Sequence, residues 1–172
     1  GRAQFVLIKQ AATIGDRGIE ADNNEANNDS TPRAQPILSN LTIIGRAGDS
    51  ATQGVLLRRG TGANIWNSVI TGSPTCLTID GAATFANAGA PGSLTGSLTI
   101  QNSFVNCAAN FADGDDATFT TSDWFLSQSG NVAGDSLLSG YLPAAGSPLT
   151  LGGAAVSDAF FTPVDYSGAF KD

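Results

Sequence analysis

ANIWNSVITG, residues 63–72, places an asparagine inside what otherwise reads as a β-strand. Ile65, Trp66, Val69 and Ile70 suit a pleated, half-buried surface, whereas Asn is depleted in strands and its amide is costly to bury without partners. The same arrangement recurs along the chain. PILSNLTIIG carries Asn40 and LTIQNSFVNC carries Asn102, and AQFVLIKQ has Gln4 in the matching place. Leu38, Ile65 and Ile100 stand two residues before the asparagines, and Ile43, Ile70 and Val105 stand three after, with Leu7 three after Gln4.

A second strand type follows each of the first three. GIEADN alternates Ile19 and Ala21, GVLLRRG alternates Val55 and Leu57, and CLTIDG alternates Leu77 and Ile79, the period of a half-buried strand. Fifteen residues separate Gln4 from Ile19, and 15 separate Asn40 from Val55. Asn40 to Asn67 is 27 residues and Asn67 to Asn102 is 35. A repeat of two short strands with loop insertions predicts a solenoid whose coils stack about 4.8 Å apart. Equivalent side chains then lie above one another. Gln4, Asn40, Asn67 and Asn102 are expected to form a ladder, each amide satisfied by the next, at a bend that Asn tolerates.

Composition agrees with this all-β reading. Charged residues make up 13% of the 172 positions, against about a quarter in ordinary domains, so small polar residues cover the surface and a helix bundle is excluded. The formal net charge of −7 argues against nucleic acid and anionic membranes as partners. No apolar run approaches a membrane span. The absence of His removes zinc chemistry and Ser-His-Asp catalysis from this chain. The absence of Met points to a processed product or a fragment. Cys76 and Cys107 are expected to pair as a disulfide in an oxidising compartment, stapling adjacent coils.

These stretches, with GDRGIEADNNEANNDSTPRAQPILSNLTIIG and the ending LPAAGSPLTLGGAA then VDYSGAF, resemble secreted bacterial right-handed parallel β-helix proteins of the pectate-lyase-like superfamily. The closest resemblance is to the C-terminal region of members of mostly unassigned function. It implies one right-handed parallel β-helix over residues 1–172, of about four coils (1–32, 33–60, 61–93 and 94–120), then a C-terminal cap over 121–172. TSDWFLSQSG, residues 121–130, reads as a short capping helix with Ser122 as N-cap, Gly130 at its end, and Trp124 and Phe125 facing inward. TFANAGA suits a helical turn ended by Gly89 and Pro91, and YSGAF suits one further strand.

Three features could carry chemistry. Asp22, Asn24, Glu25 and Asp29 offer oxygen ligands at short spacing for Ca²⁺, and Asp113, Asp115 and Asp116 form a weaker set. Asp22, Arg58 and Asp80 fall at equivalent places in successive coils and predict a charge stack. If the chain were an enzyme, Arg58, Arg59, Asp80 and Glu20 would be its catalytic candidates, by analogy with polysaccharide lyases. An arginine flanked by carboxylates holds its proton more firmly, which opposes a base role. The regular Thr rows of an ice-binding face are missing, as are the clustered Asp motifs of polygalacturonase-like hydrolases. The balance favours a non-catalytic extracellular structural or adhesive module, binding further copies of itself or a glycan. The alternative is a polysaccharide-binding or polysaccharide-degrading protein.

Overall fold

The computed structural model describes residues 1–48 and 51–172. The chain alternates between two parallel sheets. β1 (Arg2–Lys9), β3 (Ile37–Ile44), the broken pair β5 (Asn64–Trp66) and β6 (Val69–Thr71), the broken pair β8 (Thr99–Gln101) and β9 (Phe104–Asn106), and β11 (Val132–Ala133) build the first. β2 (Arg17–Ala21), β4 (Gln53–Leu57), β7 (Thr75–Ile79) and β10 (Ala109–Asp113) build the second, in the order β10-β7-β4-β2. Each pass through both sheets is termed a rung below.

Register follows the apolar pattern. Ile8, Ile43, Ile70 and Val105 share one position, as do Leu38, Ile65 and Ile100. In the second sheet Ile19, Val55, Leu77 and Phe111 align. Most of these side chains are fully enclosed in a single cluster, as period-two strands with one buried face require. The first rung departs from the expected alignment by one residue. Phe5, not Gln4, pairs with Asn40, and Ile8, not Leu7, pairs with Ile43. Gln4 was aligned by its amide, whereas the register is set by the inward apolar residues.

Asn40, Asn67 and Asn102 share one register position, at φ of 55°, 49° and 50°. Asn visits this left-handed region more readily than other non-glycine residues because its short polar side chain bonds locally. The bend there breaks the first sheet into its paired short strands. Phe5 (φ 59°) continues the column at one end and Gly130 (φ 69°) at the other. A Cβ on Gly130 would collide with the Asn102 side-chain nitrogen, so close stacking as well as conformation demands glycine there.

Cys76 and Cys107 are disulfide-bonded with Cα atoms 5.5 Å apart, linking β7 of the third rung to the residue after β9 of the fourth. The helix α1 (Ala82–Ala88) occupies the Gly- and Ala-rich insertion and ends at Gly89. A second helix, α2 (Thr121–Leu126), is capped by Thr120, whose hydroxyl accepts from the Asp123 amide at 3.0 Å; the expected cap was Ser122. It stops at Leu126 because the chain must turn there, and Gly130 belongs to the next rung. Trp124 and Phe125 are fully buried, Trp124 donating its indole N–H to the Ala88 carbonyl and Phe125 packing on Phe111.

Beyond α2 the side chains of Gln128 and Asn131 act as a surrogate strand. Gln128 accepts from the Ile100 amide, while Asn131 donates to the Ile100 carbonyl and accepts from the Ser103 amide. Backbone groups at this end are thereby satisfied without a full strand, as burial requires. The hairpin β12 (Leu138–Ser139) and β13 (Leu142–Pro143) follows. The rest of the chain forms no strand. YSGAF, expected to add one, instead runs across the outside of the first sheet.

Candidate functional site

The charged cluster sits at the end of the second sheet's strands. Ala21, Leu57 and Ile79 align there, so Asp22, Arg58 and Asp80 leave their strands at one level. Arg58 donates through Nε to Asp22 Oδ1 at 3.0 Å and through Nη2 to Glu20. Arg59 donates to Asp22 Oδ2 at 2.7 Å and to Glu25 Oε1 at 2.8 Å. Burial lowers the Arg58 pKa, but the Asp22 hydrogen bond and the charges of Asp22, Glu20 and Asp80 outweigh it, and the guanidinium is held above its ordinary value. An arginine so held is a poor general base. Asp80 accepts from the Asp115 amide at 2.8 Å.

The oxygens singled out for Ca²⁺ have other partners. Both Asp22 oxygens face arginines, Asn24 Oδ1 accepts from the amides of Ala26 and Asn27, Glu25 pairs with Arg59, and Asp29 pairs with Arg33 at 2.9 Å. In the second set Asp113 accepts from the Thr121 amide at the start of α2, whereas Asp115 is held through its backbone amide, which donates to Asp80. Asp116 lines an open hollow against α1 together with Glu25 and Asp29. Among the described residues no group of three or more acidic or cysteine side chains is spaced to hold a metal ion. The loop itself is organised by Asn23, which donates to the Asn28 and Ser30 carbonyls and accepts from the Ala34 amide.

The amides at the bend form a second feature. A direct ladder was expected, but only the contact of Gln4 Nε2 with Asn40 Oδ1, at 3.2 Å, joins two of its members. Asn67 reaches Asn40 through Ser39, whose hydroxyl accepts from Asn67 at 3.3 Å and donates to Asn40 at 2.9 Å. The strongest bonds run outward to the C-terminal segment, termed the strap. Gln4 exchanges two hydrogen bonds with the backbone of Thr162, both 2.9 Å. Asn67 exchanges two with Ala154, both 2.8 Å. Asn40 donates to the Tyr166 carbonyl and Asn102 to the Gly152 carbonyl. Because the side chains leave the bend outward, their amides meet the strap sooner than one another.

The rung-to-rung satisfaction sought in asparagine belongs instead to its neighbour. The Leu41 amide donates to Ser68 Oγ, and the Ser68 amide donates to Ser103 Oγ. The repeated Asn-Ser pair in WNSVI and QNSFV was the visible signal. The ending LPAAGSPLTLGGAA then VDYSGAF signals a closing segment but not its contacts, since the strap is read through its backbone.

Two parallel sheets threaded alternately by one chain, over an apolar interior with a recurrent asparagine bend, define a β-helix type of protein. The chain belongs to the family described as pectate-lyase like beta helix domain, whose model matches residues 1–138. No curated protein and no solved structure matches it. No helix among the described residues is long and apolar enough to cross a membrane.

Proposed function

We propose that the chain is a non-catalytic structural or adhesive β-helix module of the cell exterior, wound as a right-handed solenoid of about four coils. The observation that carries this reading is the state of Arg58 and Arg59. The arginines that a lyase-like reaction would need as base are bound to Asp22, Glu20 and Glu25. No His stands by to replace them. The disulfide supports an oxidising location. The proposed partners are further copies of the chain, reached through the free edges of β1 and β2, or an extracellular glycan. No resident cofactor is proposed; Ca²⁺ is the cation whose effect is worth checking.

A polysaccharide-directed role is the second reading. The family description favours it, as does the hollow beside α1 lined by Glu25, Asp29 and Asp116. Incubation with pectin, alginate and other acidic glycans, with Ca²⁺ or with EDTA, separates the two. Absence of the ultraviolet absorbance of unsaturated sugars under both conditions is expected. Calcium-dependent product would overturn the non-catalytic reading.

A further inference from the structure

The strap is bound to the first sheet almost as a separate peptide would be. It makes two passes: residues 149–154 and 165–169 bond to each other through Ser167 N to Leu149 O and Gly153 N to Asp165 O. Together they cross the bend at Asn102, Asn67 and Asn40, and Thr162, between the passes, reaches Gln4. The body reads mainly main-chain atoms: the carbonyls of Gly152, Ala154, Thr162 and Tyr166, and the amides of Ala154, Thr162, Gly168 and Ala169. Gly168, at φ +89°, lies flat on the sheet, where a Cβ would come within 3.1 Å of Thr42 and 3.4 Å of Val69. Leu149 fills the place above Val69 and Phe104.

Two observations separate strap from body. The main apolar cluster contains no residue beyond Phe125. The family match also stops at residue 138, before the strap begins. The connection between them carries positive-φ glycines at 140 and 146, with Ala145 and Gly146 exposed.

We propose that the outer face of the first sheet is a peptide-binding site that reads extended, small-residue main chain, and that the strap of a second copy can occupy it in place of the chain's own. Any copy supplies the same backbone donors and acceptors, so exchange forms the same bonds that it breaks. Side-chain selection is limited to the Leu149 site, the flat approach at Gly168, the Ser167 hydroxyl on the Asn102 carbonyl, the Tyr166 ring beside Phe5 and the Asp158 pair with Arg2.

The test uses the full chain with a specific protease site inserted between Ala145 and Gly146. One preparation carries a donor dye on the body, and a second carries an acceptor on the strap near Asp172. After cleavage and mixing, energy transfer is expected to rise and saturate while the circular dichroism of the body is kept. Asn67→Gly keeps the backbone conformation and removes one two-point amide contact, so it should weaken strap uptake about tenfold. The proposal is overturned by loss of the body's strand signal on cleavage, by no transfer after a cycle of warming and cooling, or by equal uptake in the Asn67→Gly body.

Discussion

Asn67 and Ala154, 87 residues apart, are joined by two hydrogen bonds of 2.8 Å, the asparagine amide matching the donor and acceptor of a peptide group. Asn67 also donates to Ser39. Asn67→Leu therefore removes several buried bonds and puts a branched side chain at φ 49°. A loss of about 2–4 kcal/mol in urea unfolding is expected. Asn67→Gly should lose less, because it relieves the backbone. Asn40→Leu should also lose less, since only one of the three Asn40 side-chain bonds goes to the strap, against two of three for Asn67. Equal losses in the two leucine variants would show that the second strap bond adds nothing.

Gly130 stands directly against Asn102. Gly130→Ala should destabilise by about 1–3 kcal/mol, from the positive φ and the contact with the Asn102 side chain together. Gly140, with a similar φ of 66° but nothing near its missing Cβ, is the control, and Gly140→Ala should cost only about 1 kcal/mol. Thermal melts of the two variants compare these contributions.

Reduction of the Cys76–Cys107 bond, whose partners are 31 residues apart, should lower stability by about 2–4 kcal/mol. The double variant Cys76→Ala/Cys107→Ala should show the same loss without added reductant. An unchanged urea midpoint would mean that the bond adds no net restriction to the unfolded chain.

Asp158 ties the far turn of the strap to β1 through Arg2, at 2.6 Å. Its pKa is lowered, first by the Phe160 backbone amide and then by the Arg2 hydrogen bond. A lowered folded-state pKa gives stability that is present above the unfolded value and is lost as pH falls through the folded one. Protection factors at residues 158–162, taken against the intrinsic exchange rate at each pH, should therefore fall on acidification through the carboxylate range. Asp158→Asn should exchange faster at neutral pH and lose that part of the acid response. The effect on global stability should be small, because the pair is exposed to solvent.

Two-sheet alternation, the bend asparagines, the disulfide and the inward Trp124 and Phe125 could all be read from residue pattern. Each rests on a local signal: period-two apolar residues, a repeated Asn, a pair of cysteines, a capped helix. The Asp22–Arg58 part of the charge stack was visible too, because both keep a fixed distance from their strand residues; the other bond of Arg58 goes to Glu20, and Asp80 bonds the Asp115 amide. The first rung was misaligned because Gln4 resembles asparagine chemically while Phe5 takes its conformation. The ending is expected as part of a C-terminal cap, but its course across the first sheet is not legible, for a different reason. Its contacts use backbone atoms of Gly, Ala and Thr, which carry no periodicity, and its partners lie up to 158 residues away. The Ca²⁺ expectation rests on oxygen spacing alone; what the spacing does not carry is that Arg58, Arg59 and Arg33 stand beside Asp22, Glu25 and Asp29.

The strap also bears on how the molecule comes apart. In a stack whose layers touch only their neighbours, stability is a chain of nearest-neighbour couplings, and the outermost layer frays first at little expense to the rest. Here the first layer is bonded through Gln4 and Arg2 to the same segment that holds Asn67 and Asn102. Detaching β1 must break the contacts at Asp158 and Thr162, so the edge of a one-dimensional array is coupled through this segment to layers that it does not touch.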